Sequence, residues 1–170
     1  EGGIRVPFLA RWPAKLPAGA TYDTPVHHFD MYATAAAAAG ADLPTDRVMD
    51  GVDLTPFVTG ADNTDAPHDY LFFRSGAAQA VRDERWKLMV SAPQELPRKE
   101  WLFDLTADGE WTDLLAEHPE VADRLRGVLD THNSEQAEPR WPWTVTTAQN
   151  VDRDLSQEDL PGDEFAYWSN

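Results

Sequence analysis

The sequence contains no cysteine. That excludes a disulfide framework, thiolate zinc ligation and a cysteine nucleophile within these residues. Lysine is scarce, confined to Lys15, Lys87 and Lys99, and the other bases are arginines. No apolar run approaches the roughly 20 residues needed to cross a bilayer. The first residues lack the charged and apolar regions of a secretion signal. There are no internal repeats, and Gly2-Gly3 is too short to cradle a phosphate.

What is present is acid. Thirty Asp and Glu against 14 Lys and Arg give 170 residues a formal charge of −16. Such a field repels phosphate backbones and anionic lipid, so neither nucleic acid nor a membrane surface is an expected partner. An anionic substrate would need a local basic pocket. The hydrophobic content, 42%, is enough for a packed core.

Residues 4–12 (IRVPFLARW) are mostly apolar without clean alternation, which suits a strand covered on both faces. Residues 26–39 (VHHFDMYATAAAAA) predict a helix ended by Gly40, with Phe29, Tyr32, Ala33, Ala36 and Ala37 on one stripe that small alanines would let lie close to a sheet. A strand followed by a close-packed helix is half of an α/β unit, and no second strand of that buried type follows. Residues 54–58 suggest a helical turn closed by Gly60. Four short strands are then expected, at 70–74, 78–82, 86–90 and 101–104, joined by Ser75-Gly76, Asp83-Glu84 and a proline-containing loop. Trp86, Leu88 and Val90 fall on one face and Lys87 and Met89 on the other, giving an antiparallel sheet with one wet face. Residues 119–134 predict an amphipathic helix with proline in its first turn and Val121, Leu125, Val128, Leu129 and His132 on one face. From Glu135 onward the chain is acidic and studded with aromatics, which predicts a tail packed back on the body.

The residues alone present no catalytic constellation. His27 and His28 are adjacent and point about 100° apart on a helix, which favours packing or surface roles over shared metal ligation. His68, His118 and His132 lack metal-like spacing. Asp62-Asn63-Thr64-Asp65 lacks the order of a calcium loop. Asp50-Gly51-Val52-Asp53 reads as a turn between helices. Ser75 stands outside any nucleophile-elbow pattern. Arg74 and Arg82 could present guanidinium groups to an anion, or pair across strands with Asp83 or Glu84.

Read as motifs, several stretches resemble the formylglycine-dependent sulfatases of the alkaline-phosphatase-like superfamily. They are EGGIRVPFLARWPAKLPAG at the start, HFDMYATAAAAAG, DGVDLTPFVTG, YLFFRSGAAQAVRDERWKL, WLFDLTAD and GDEFAYWSN, in family order and spanning essentially the whole chain. Two turns depart from the family pattern, Asp83-Glu84 and Asp108-Gly109-Glu110. The resemblance implies an α/β fragment. It would comprise the last strand and helix of a large sulfatase domain in residues 1–60, and a small α+β C-terminal subdomain in residues 61–170 with a four-stranded antiparallel sheet, a packed helix and an aromatic tail.

The same resemblance implies hydrolysis of sulfate esters, of small molecules or glycans, by a formylglycine nucleophile and calcium. Those groups and their motifs would lie in a missing N-terminal part of the same protein, so no catalytic or metal-binding residue is assigned here. The fragment alone would be inactive and bind no cofactor. Glu1, Gly2, Gly3 and Arg5 match the turn leading from the active-site lysine and would support it, and Arg74 is the candidate for the substrate cleft. A periplasmic or extracellular setting follows from the family rather than from the residues. Two other readings stay open: a phosphoester or phosphonate hydrolase of the same superfamily, and a non-catalytic accessory module.

Overall fold

In the computed structural model, the described residues are 2–60, 66–93, 96–107, 109–137, 140–141, 145–153 and 156–169. The chain divides into two compact units, Glu1–Asp69 and Tyr70–Asn170.

The first unit is largely irregular. Residues 4–12, expected as a covered strand, form no ladder, and Phe8 and Leu9 are 53% and 93% exposed. A strand is defined by its hydrogen-bonded neighbours, and among the described residues none pairs with this stretch. Helix α1 (Asp30–Ala39) starts later than its apolar pattern, after a tight turn in which His27 and Asp30 bond reciprocally. Its end is as expected. Gly40 takes φ 66°, its N–H donates to Ala37, and the Ala41 N–H donates to Ala36, which is the Schellman arrangement. Along the predicted stripe Ala33 is buried, Phe29 and Ala36 are half-buried, and Tyr32 and Ala37 are exposed, and no strand is present among the described residues of this unit. Helix α2 (Thr55–Val58) is a single turn followed by Gly60 at φ 70°.

The second unit is built on a four-stranded antiparallel meander in the order β1 (Leu71–Ser75), β2 (Ala78–Arg82), β3 (Trp86–Ser91), β4 (Lys99–Asp104). Gly76, at φ 55°, sits at the first central position of the β1–β2 turn, where a positive φ matches the sheet twist. The second turn is closed by Asp83, whose Oδ1 accepts the N–H groups of Arg85 and Trp86 at 2.9 and 2.6 Å. That carboxylate does the work a glycine turn would do by conformation. Helix α3 (Pro119–Glu135) carries Pro119 and Glu120 in its first turn. It lays Ala122, Leu125 and Leu129 on Val81, Trp86, Leu88, Val90 and Leu102. Burying such a face stabilises by about 1.5–3 kcal/mol for each large side chain.

The opposite face of the sheet is not the wet face expected. Trp101 and Phe103 are buried there against Ala166, with Met89 and Val151 packed alongside. The covering element is a two-stranded antiparallel ribbon, β5 (Thr146–Asn150) with β6 (Phe165–Ser169). Ser91 stitches it down, donating to the Tyr167 carbonyl and accepting the Tyr167 N–H. Lys87, read as solvent-facing, is 4% exposed and held 2.5 Å from Glu110. The free edge of β4 is capped as well. Asp113 accepts the Leu102 N–H at 3.0 Å, and the Leu114 N–H donates to the Leu102 carbonyl at 2.8 Å. These bonds occupy the middle of the edge and shorten the stretch open to pairing with another chain.

Candidate functional site

Arg74 stands on the edge strand β1, opposite Gln79 of β2. It borders a cavity of about 250 Å³ between the sheet and the C-terminal end of α3, shared with Phe72, Phe73, Gln79, Leu129, His132 and Asn133. One wall is apolar, because the Phe72 and His132 rings stack 3.8 Å apart and 2° from parallel. The other is polar, with Asn133 Nδ2 donating to Gln79 Oε1 at 2.8 Å. The cross-strand pairing proposed for the arginines does not form as expected. Arg82 donates to the backbone carbonyls of Asp83 and Glu84, while the Asp83 carboxylate goes to Arg124 on α3 at 2.7 Å.

Other basic groups of the second unit are tied down by acids. Arg85 holds Asp104 at 2.7 Å, and its guanidinium, together with Thr106, keeps that carboxyl well below the usual range. Glu100 receives Arg98 and Arg126, both at 2.7 Å; burial alone would raise its carboxyl, and the two guanidiniums hold it low instead. Lys87 does the same for the partly buried Glu110.

In the first unit, Gly2, Gly3 and Arg5 lie exposed at the surface, and Glu1 falls outside the described residues. Asp62-Asn63-Thr64-Asp65 also falls outside them. The organised centre of this unit is a residue that composition and spacing left unremarked. Asp30 is fully buried, and its carboxylate accepts the N–H groups of His27 at 2.7 Å and Val52 at 3.0 Å. Its Oδ1 also lies 2.8 Å from His68 Nε2. One turn further along α1, Thr34 accepts the Leu54 N–H at 2.9 Å and donates to the Val52 carbonyl. The helix thus grips the segment 52–54 through two side chains four residues apart, on one face.

Gly51 permits the grip. A Cβ there would lie 2.4 Å from the Phe29 carbonyl oxygen. His27 stacks on Phe29 at 3.9 Å and meets the exposed His28 at 4.4 Å, in keeping with the packing or surface roles expected of the pair. Burial, then the adjacent His28, push the His27 imidazole below its ordinary value. The readable signal for the Asp30 hub was an acid in the first helical turn with a threonine four residues on. His68 carried no local signal, because its partner is 38 positions away.

Among the described residues, no three His, Asp or Glu side chains converge as metal ligands.

Residues 1–135 match the family model described as N-sulphoglucosamine sulphohydrolase, C-terminal. The mouse steryl-sulfatase is 37% identical over 159 residues, covering 76% of this chain and 25% of the relative. Rat arylsulfatase G is 39% identical over 180 aligned residues, covering 88% of this chain and 34% of the relative. The solved structure of Ps i-CgsB in complex with k-i-k-neocarrahexaose superimposes with a TM-score of 0.60 at 25% identity, over 77% of this chain and 29% of that one. The chain therefore spans about a quarter to a third of the length of these relatives.

Proposed function

The chain belongs to the sulfatases, as a C-terminal region of the N-sulphoglucosamine sulphohydrolase kind, and from that premise we propose that it is the C-terminal part of an enzyme hydrolysing sulfate esters. The observation that carries this reading is the family match over residues 1–135, a range that includes the Asp30–Thr34 grip, the four-stranded sheet and α3. Attack on sulfur would come from a formylglycine hydrate, with calcium stabilising the sulfate charge. The residues present do not fit either group. The sequence holds no cysteine and no serine within a C/S-x-P-S-R motif for oxidation, and no described cluster offers three metal ligands. Both groups belong, in this reading, to the part of the enzyme outside these residues, and no chemical step runs through this chain.

What this chain contributes, in this reading, is support: Glu1, Gly2, Gly3 and Arg5 match in sequence the family's turn leading from the active-site lysine, and Arg74 is the candidate for the substrate cleft. The substrate is a sulfate ester of a small molecule or a glycan. Relatives named steryl-sulfatase and arylsulfatase G support the former, and the saccharide complex of Ps i-CgsB supports the latter.

The test compares the complete protein carrying this chain with the 170 residues alone, on p-nitrophenyl sulfate and p-nitrophenyl phosphate. The complete protein should cleave the sulfate in preference, and the chain alone should cleave neither. Turnover by the 170 residues, or a preference for phosphate in the complete protein, would refute the proposal.

A further inference from the structure

We propose that the imidazoles of His27, His28 and His68, gathered around the buried carboxylate of Asp30, make the grip of α1 on residues 52–54 an acid-sensitive latch, closed at neutral pH and released below it. Every group involved lies in the first unit, and none depends on the sulfatase reading.

Phe29 brings the rings together. His27 stacks on it at 3.9 Å and 21°, and His68 meets it in a T-shaped arrangement at 5.6 Å. His28 lies 4.4 Å from His27 and 5.9 Å from Phe29. Asp30, fully buried, stands 2.8 Å from His68 Nε2. The same carboxylate closes the latch, because its oxygens accept the His27 and Val52 N–H groups. Three titratable rings and one carboxylate withdrawn from water therefore share the point where the helix holds its neighbour.

One carboxylate neutralises one imidazolium, and Asp30 is placed to do so for His68. A second or third positive charge exceeds what Asp30 can balance. The charged groups facing His27 are His28 beside it, Asp30 on α1, Asp50 before the gripped segment, and His68 beyond α2. Asp50, the other acid of this set, is exposed, and water screens its attraction. Burial first and His28 second hold the His27 ring below its ordinary 6.5. An imidazole with a folded-state value below its unfolded one favours the folded state while it is neutral. That contribution is complete above about pH 6.5 and is lost as the pH falls through the folded value. A charged His27 ring draws water and is driven off Phe29. The Phe29 backbone is what Gly51 packs on, so the disturbance reaches the gripped segment directly.

Hydrogen exchange in the complete protein carrying this chain tests the latch through its own bonds. The Val52 and Leu54 amides, held by Asp30 and Thr34, are followed at about pH 7.5 and about pH 5.5, corrected for intrinsic exchange. Protection of both amides should fall severalfold at the lower pH, while the amides of α3 keep theirs. His27→Gln retains the backbone N–H to Asp30 and takes no proton, so its protection should match at the two pH values. His28→Gln removes the neighbouring charge from an exposed position, and the acid loss should shrink. Unchanged protection in the parent, a loss shared equally by α3, or an acid loss that persists in His27→Gln would each overturn the proposal. Should His27→Gln be unprotected already at the higher pH, His28→Gln decides. A smaller acid loss than the parent's supports the latch, and an equal one overturns it.

Discussion

Gly51 and Gly127 look alike in the sequence and differ in what surrounds them. A methyl group at Gly51 meets backbone, the Phe29 carbonyl, which cannot swing aside. Gly51→Ala should therefore cost about 1–3 kcal/mol of stability, as forced overpacking does. Gly127 sits exposed in the interior of α3 with nothing within 4 Å of a built Cβ. There alanine lowers the entropy of the unfolded chain and fits the helix, so Gly127→Ala should stabilise by about 0.4–1 kcal/mol. Urea denaturation of the two variants beside the parent checks both signs at once. Asp30 makes the same point about burial. Aspartate is seldom fully buried, and this one is tolerated because its oxygens accept two backbone N–H groups and face His68.

At the scale of elements, the β5–β6 ribbon depends on a carboxylate as much as on its ladder. Asp163 Oδ2 accepts from Arg153 at 2.6 Å, from the Leu160 N–H at 2.7 Å and from Asn150 at 2.9 Å. The Arg153 bond, then the Leu160 N–H, lower its carboxyl from an ordinary 3.8 to about 2. A folded-state value below the unfolded one contributes stability that is complete above about pH 4 and is lost as pH falls toward 2. Amide exchange followed across that window should show β5 and β6 opening with acid before α3 does, and Asp163→Asn should remove the acid-dependent step. Equal protection of ribbon and helix down to pH 2 would contradict this. The ribbon was legible only as a cluster of aromatics. Its strands pair residues up to 23 apart, such as Thr146 with Ser169, and they lack the alternation that announced β3. The meander, in contrast, was legible within a residue or two, because its turns are short and each strand pairs with its sequence neighbour.

On the scale of the whole molecule, the acid excess sets what the surface meets. Thirty acids against 14 bases should hold the chain on a quaternary-amine resin at pH 7, while it passes through immobilised heparin even at low salt. Retention on heparin released by modest salt would refute this. No described helix is long and apolar enough to cross a membrane. The cavity at Arg74 is a local exception in this field, consistent with the requirement, drawn from composition, that an anionic ligand find a local basic pocket.

The sequence by itself determined the family, the order of elements, the meander with its turns, the inward face of α3 and the C′ role of Gly40. Each of these rests on local periodicity, turn chemistry or motif order, which a linear string carries in full. Tertiary structure alone decided that Asp30 and Thr34 grip residues 52–54, that His68 joins them, that Lys87 is buried with Glu110, and that the second sheet face lies under the tail. It also decided that Asp83 serves Arg124 while Arg74 is left to its cavity. These are pairings between positions far apart in the chain. Their energies depend on which groups lose water together, and that is settled only when the elements pack.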